Sequence, residues 1–141
     1  MVEESINTKS LVHNQGFQSN VELRMKIENY AMQSCERHFK KLGFNVLDVS
    51  ATESYDFIIE KMGRKYFVEV KGTQGRGDII NLTKNEVKLS KKLGNKMKLY
   101  ILHSIKISRK NIQNGSGEAI IVDPWKINSR NLTAITYAYS L

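Results

Sequence analysis

The chain is short of the residues that fasten small extracellular folds and of the runs that enter membranes. Its 141 residues include one cysteine, Cys35, so no internal disulfide can form and a reducing compartment is the expected setting. No apolar run approaches the ~18 residues of a membrane span. The N-terminal stretch carries Glu3 and Glu4 and no apolar segment of leader length. Internal repeats, low-complexity tracts and interdomain linkers are lacking too. These absences lead to the expectation of a soluble, cytoplasmic chain with no membrane partner. Acids are scarce in one segment in particular. Residues 61–98 hold eleven Lys/Arg against Glu69, Asp78 and Glu86, and this stretch accounts for the whole formal charge of +8. Positive charge concentrated in this way suits an anionic partner, nucleic acid before membrane; a solvated lysine-rich helix face is the plain alternative.

What is present is an ordinary globular composition, 40% hydrophobic and 26% charged, at the size of one domain. Residues 1–18 are polar and without a clear period, an arm or helical lead-in; residues 19–141 are expected to form a single domain. Ser19 followed by Glu22 has capping-box spacing and predicts a helix running to Leu42 before Gly43, with an apolar stripe of Ile27, Ala31, Cys35, His38 and Leu42. Strands are expected over Phe44–Ser50, in the two halves of "YDFIIEKMGRKYFVEVKGT" and over Lys98–Ile105. Further strands are expected in "EAIIVD", stopped by Pro124, and in "LTAITYAYS". "GTQGRGD" reads as a glycine-rich exit loop, and "SRKNIQNGSG" as a polar one. "LTKNEVKLSKKLG" reads as a helix capped by Thr83, with Glu86 three residues on and Gly94 at its end. The pattern is α/β: a mixed central sheet flanked by helices.

One stretch is costly as written. A hairpin turning at Met62-Gly63 sets Lys61 opposite Arg64 and Glu60 opposite Lys65; carried down the strands, the same register sets Asp56 opposite Glu69. Side chains alternate, so Lys71 shares the face of Glu69, while Val68 and Val70 point the other way. Opposed like charges destabilise a sheet. A shared proton, a neighbouring cation or a bound metal relieves them, and a partly exposed salt-bridge cluster is the ordinary outcome. Glu28 falls at the side of the first helix's stripe, where Arg24 or wet solvent would satisfy it, or where a helix laid over the hairpin would deliver it to the acids.

Asp56, a twelve-residue gap and then Glu69-Val70-Lys71 resembles the PD-(D/E)XK signature of the restriction-endonuclease-like nucleases, with Tyr55 where that signature has proline. The wider run "IENYA", "GFNVLDVS", "YDFIIE", "FVEVKGT", "LTKNE" resembles more closely the C-terminal domain of the plant protein NO VEIN, which also occurs in prokaryotic proteins. The resemblance implies a restriction-endonuclease-like α/β fold and a Mg²⁺-dependent endonuclease acting on DNA, with Mn²⁺ able to substitute and a prokaryotic setting. Asp56, Glu69 and the backbone carbonyl of Val70 would hold the metal, Lys71 would orient the attacking water or stabilise charge on the phosphate, and Glu28 would stand beside the metal. Gln74, Arg76, Lys84 and Lys88 are the candidates for nucleic-acid contact. A homodimer would supply two sites for two strands, and restriction, defence, repair or junction-resolving roles all fall within the class. RNA as substrate, and a catalytically silent module that binds nucleic acid or protein, are the rivals. Asn85 and Glu86 match a recurrent family motif, but helix capping explains them equally well.

Other chemistries have weaker footing. The glycine-rich loop lacks the Gly-Lys-Ser/Thr ending of a P-loop, and no nucleophile elbow supports a hydrolase triad. His13, His38 and His103 have no metal-ligand spacing with Cys35. Trp125, Tyr137 and Tyr139 read as packing or edge residues.

Overall fold

The computed structural model describes the backbone of residues 2–141 and the side chains of residues 20–141. One long helix, α1 (Val2–Lys41), precedes β1 (Asn45–Asp48), β2 (Phe57–Lys61) and β3 (Arg64–Gly72). Then come α2 (Lys84–Leu93), β4 (Met97–His103), the short pair β5 (Ile107–Ser108) and β6 (Asn111–Ile112), and β7 (Glu118–Val122). The main sheet has the order β1-β2-β3-β4-β7. All its neighbours are antiparallel except β3 and β4, which are parallel because α2 carries the chain back between them. The expected α/β class, a mixed sheet flanked by helices, is the observed one.

The central hairpin follows from its turn. Met62 and Gly63 both have positive φ, 52° and 76°, the pair of values a two-residue type I′ turn needs. That turn pairs Lys61 with Arg64, Glu60 with Lys65 and Phe57 with Val68, which is the register the sequence predicts. Alternation then sorts β3 between two cores. Val68 and Val70 join Ala31, Cys35 and Phe39 of α1, with Tyr100 and Leu102 of β4, on one face. Met97, Leu99, Ile101 and Trp125, with Phe67, Ile80, Leu82 and Leu93 packed against them, form the core of the other face, where α2 lies. Glu69 and Lys71 belong to this second face, in line with Phe67 and beside Leu99 and Ile101.

α2 begins and ends as its caps dictate. Thr83 accepts from the Glu86 N–H and Glu86 accepts from the Thr83 N–H, a complete capping box, and Gly94 closes the helix at φ 54°. Several expectations need correction. α1 runs through position 19 without a break, so no helix starts there; the side chain of Ser19, like that of His13, lies outside the described residues. Its buried stripe is Ile27, Ala31, Cys35 and Phe39, because the four-residue step that joins the first three leads on to Phe39; His38 stacks beside it and Leu42 is exposed. "SRKNIQNGSG" contains the β5–β6 hairpin, turned by Arg109 and Lys110 at positive φ. Residues 132–141 form no strand: they pair with neither edge of the sheet, and the alternating Ile135, Tyr137 and Tyr139 stand exposed. Trp125 is buried, as expected.

Gly72, directly after Lys71, is where α1 comes closest to β3. A Cβ there would meet the Cβ of Ala31 at 2.9 Å and the backbone oxygen of Ile27 at 3.0 Å. Gly72→Ala is therefore expected to cost about 1–3 kcal/mol by prising the helix from the sheet. Gly63→Ala, which adds a methyl to open space at positive φ, should cost about 1 kcal/mol. Denaturant unfolding of the two variants checks the ranking.

Candidate active site

The hairpin's regular pairing stops one step before the acids meet. Phe57↔Val68 is the last ladder pair, and Asp56 lies in a bend. Its N–H donates to the Val68 carbonyl at 3.0 Å, and its Oδ2 accepts the Val70 N–H at 2.8 Å. The expected ladder pair of Asp56 with Glu69 is thus replaced: the Asp56 carboxylate takes the place of a main-chain acceptor on the free end of β3. The N–H and C=O of a strand residue point to the same side, so the Val70 carbonyl opens toward this same free end. Asp56, the Val70 carbonyl and Glu69 come together around the place where β2 leaves the sheet.

Glu69 is the costly member. It is 4% exposed, and its Oε2 is buried with no hydrogen-bond partner in the protein. Its Oε1 lies 3.4 Å from Lys71 Nζ, longer than a strong ion pair. Burial, then the negative charges of Asp56 and Glu86, push its carboxyl up from 4.5 to about 9, against the smaller pull of Lys71. Burial likewise raises Asp56, although the Val70 N–H and Lys71 oppose the rise. Burial alone would lower Lys71; the hydrogen bond it donates to Glu86 and the charges of Glu69 and Glu86 outweigh it and raise the ammonium instead. Cys35 is driven upward by burial first and then by Asp56 and Glu36, so it is an inert packing thiol behind the site.

Glu86 is the residue that sequence reasoning left at the margin. Its two oxygens lie 3.1 and 3.0 Å from Lys71 Nζ, and Oε2 also takes the Thr83 N–H at 2.9 Å. Its match to a recurrent motif was the one available signal; the contact itself is tertiary and leaves no period in the sequence. Glu28 is placed differently from Glu86. It is exposed on α1, yet its charge reaches Asp56 and raises that carboxyl ahead of the charge of Glu86. Gln74, Arg76, Lys84 and Lys88 are all exposed, the first two on the loop after β3 and the others on α2. The segment's basic excess is smaller at the surface than its count implies. Lys98 is buried against Asp123 and Tyr66, and Lys71 is inside the cluster.

A divalent cation fits the donor set. Two carboxyl groups and a backbone carbonyl are hard oxygen donors, and Glu69 Oε2 is a buried oxygen with no hydrogen-bond partner, on a group that would give up its proton to bind a cation. Among the described residues, no three His, Cys, Asp or Glu side chains converge as a ready-made cage, so a cation here would rely on the carbonyl and on solvent or substrate oxygens.

The class is therefore an α/β domain with a buried acid–lysine cluster at the free end of its central hairpin. Residues 27–113, well over half of the chain, match the family described as Protein NO VEIN, C-terminal, and the chain belongs to that family. No curated protein and no solved structure matches it. Among the described residues no helix is long and apolar enough to cross a membrane.

The raised Glu69 carboxyl has a consequence for stability. Between pH 4.5 and about 9 the native state holds a proton that the unfolded chain has released, so metal-free stability falls as pH rises through this window. Glu69→Gln should flatten that fall and, at pH 8 without metal, stabilise the protein by on the order of 1 kcal/mol. Thermal melts from pH 5 to 9 in EDTA measure both effects; an unchanged slope in the variant would place the titration elsewhere.

Proposed function

We propose that the chain is a metal-dependent nuclease of the PD-(D/E)XK kind that hydrolyses DNA phosphodiester bonds. The observation that carries this reading is the buried, unpartnered Glu69 Oε2 beside Asp56, with Lys71 at the same cluster. A protein selected for stability alone would gain by replacing such a group. A buried acid with a cation beside it suits phosphodiester hydrolysis, which needs a metal ligand and a positive charge near the reacting phosphate.

In this reading Asp56, Glu69 and the Val70 carbonyl hold Mg²⁺, or Mn²⁺ in its place. The ion supplies Lewis acidity toward the phosphoryl oxygens and lowers the pKa of a bound water. Asp56 is fixed for the task by the Val70 N–H, so its second oxygen has little freedom to wander. Lys71 stands ready to orient the attacking water or to face the charge that develops on the phosphate. Gln74 and Arg76, on the loop that leaves β3, and Lys84 and Lys88, one turn apart on α2, offer exposed contacts for the phosphate backbone.

The test is cleavage of supercoiled and linear duplex, single-stranded DNA, a four-way junction and RNA, each with Mg²⁺, Mn²⁺ or EDTA. Metal-dependent cutting of DNA is expected, with Lys71→Ala slower by about 100-fold or more and still folded. Binding should weaken steeply as salt rises, through counterion release, and double replacement of Lys84 and Lys88 should lower that salt slope by about two. Cutting confined to RNA would move the substrate class. Binding without cutting under any metal would favour a silent module.

A further inference from the structure

Lys71 has an uneven pair of anchors. Glu69 Oε1 is 3.4 Å away and belongs to the set that would be drawn to a metal, whereas both Glu86 oxygens sit at hydrogen-bonding distance. Glu86 is itself held fast. It occupies the first turn of α2, where the helix dipole favours negative charge, and its Oε2 is fixed by the Thr83 N–H. Capping needs one oxygen only, which leaves Oε1 free to accept from Lys71. The lysine stem is long and flexible, and its side chain is 22% exposed, so an ammonium without such an anchor would swing toward solvent or back onto Glu69.

We propose that Glu86 is a positioning residue for Lys71, the group that keeps the ammonium aimed at the reacting phosphate when Glu69 is engaged elsewhere. This rests on the nuclease reading and deepens it. The role assigned to Glu86 is that of partner to Lys71 and not of ligand beside Asp56 and Glu69, since both its oxygens lie at hydrogen-bonding distance from Nζ and one also accepts the Thr83 N–H. The arrangement also ties the lysine to the docking of α2. The helix whose first turn holds Lys71 is the one that carries Lys84 and Lys88, so backbone contacts made by those lysines steady the anchor of the catalytic ammonium.

Two variants separate this role from capping. Glu86→Gln can still close a capping box, since glutamine serves at that position, but it withdraws the negative charge from Lys71. Thr83→Ala removes the side-chain half of the box and keeps the backbone N–H that holds Glu86. For Glu86→Gln the expected result is a fall in kcat of about 100-fold, with KM and melting temperature close to wild type. A Mn²⁺ titration of the same variant should give an affinity within about threefold of wild type, as befits a residue that is not a ligand. Thr83→Ala should melt several degrees earlier and keep most of its kcat at a temperature where it is folded.

Unchanged kcat in Glu86→Gln, beside an active wild type, would overturn the role and leave the nuclease reading standing. Loss of Mn²⁺ affinity in that variant would overturn it in favour of a ligand, and parallel loss of activity and melting temperature in both variants would reduce Glu86 to a cap. A wild type that cuts nothing in the substrate panel would sink the nuclease reading and this role with it.

Discussion

An acid taken out of water with no hydrogen-bond partner for one of its oxygens is among the costliest things a fold can contain, and the Glu69 side chain is in that condition. The rest of the structure explains why it stays there. Alternation along β3 fixes Glu69 on the α2 face once Val68 and Val70 are committed to the α1 face. The type I′ turn at Met62-Gly63 locks that commitment, because a slip of one residue would send both valines to the wrong core. Phe67 and Leu99 wall the acid in from the same face. The burial of Glu69 is therefore a consequence of how the sheet closes, and the charges around it are the fold's answer.

That answer is built in two layers. In the sheet plane, Asp56 breaks off the hairpin and gives its carboxylate to the Val70 N–H, which leaves the Val70 carbonyl facing an open end instead of a neighbouring strand. Above the plane, Lys71 and Glu86 form the close ion pair, and the capping box of α2 holds Glu86 in place. Neither layer satisfies Glu69 completely. Leucine would fill this position at less cost than an acid two residues from a lysine with a second acid at its side, and under the proposed function a cation and a phosphate would complete the set.

Much of this was legible in the sequence, and the boundaries of legibility are physical. The hairpin register could be read because a two-residue turn and strict alternation leave one solution, and the α2 caps could be read because Thr83, Glu86 and Gly94 act within a few residues of one another. The bend at Asp56 could not, because a side chain that stands in for a main-chain acceptor breaks a ladder without changing its pattern. Glu86's grip on Lys71 depends on where α2 docks, and Glu28's exposure depends on which way α1 is rolled, so neither is set by spacing alone. The tail from Leu132 onward has the alternation of a strand but pairs with none, because a period of two is compatible with an edge strand and does not by itself create the pairing.

The central claim is that the free end of the hairpin is a cation site. Crystals of the protein grown or soaked with Mn²⁺, with anomalous data collected near the manganese edge, test it most directly. The account predicts an anomalous peak ~2.1–2.3 Å from a carboxylate oxygen of Asp56, a carboxylate oxygen of Glu69 and the Val70 carbonyl, with Lys71 still on Glu86. A peak elsewhere, or no peak with Glu69 still against Lys71, would contradict it.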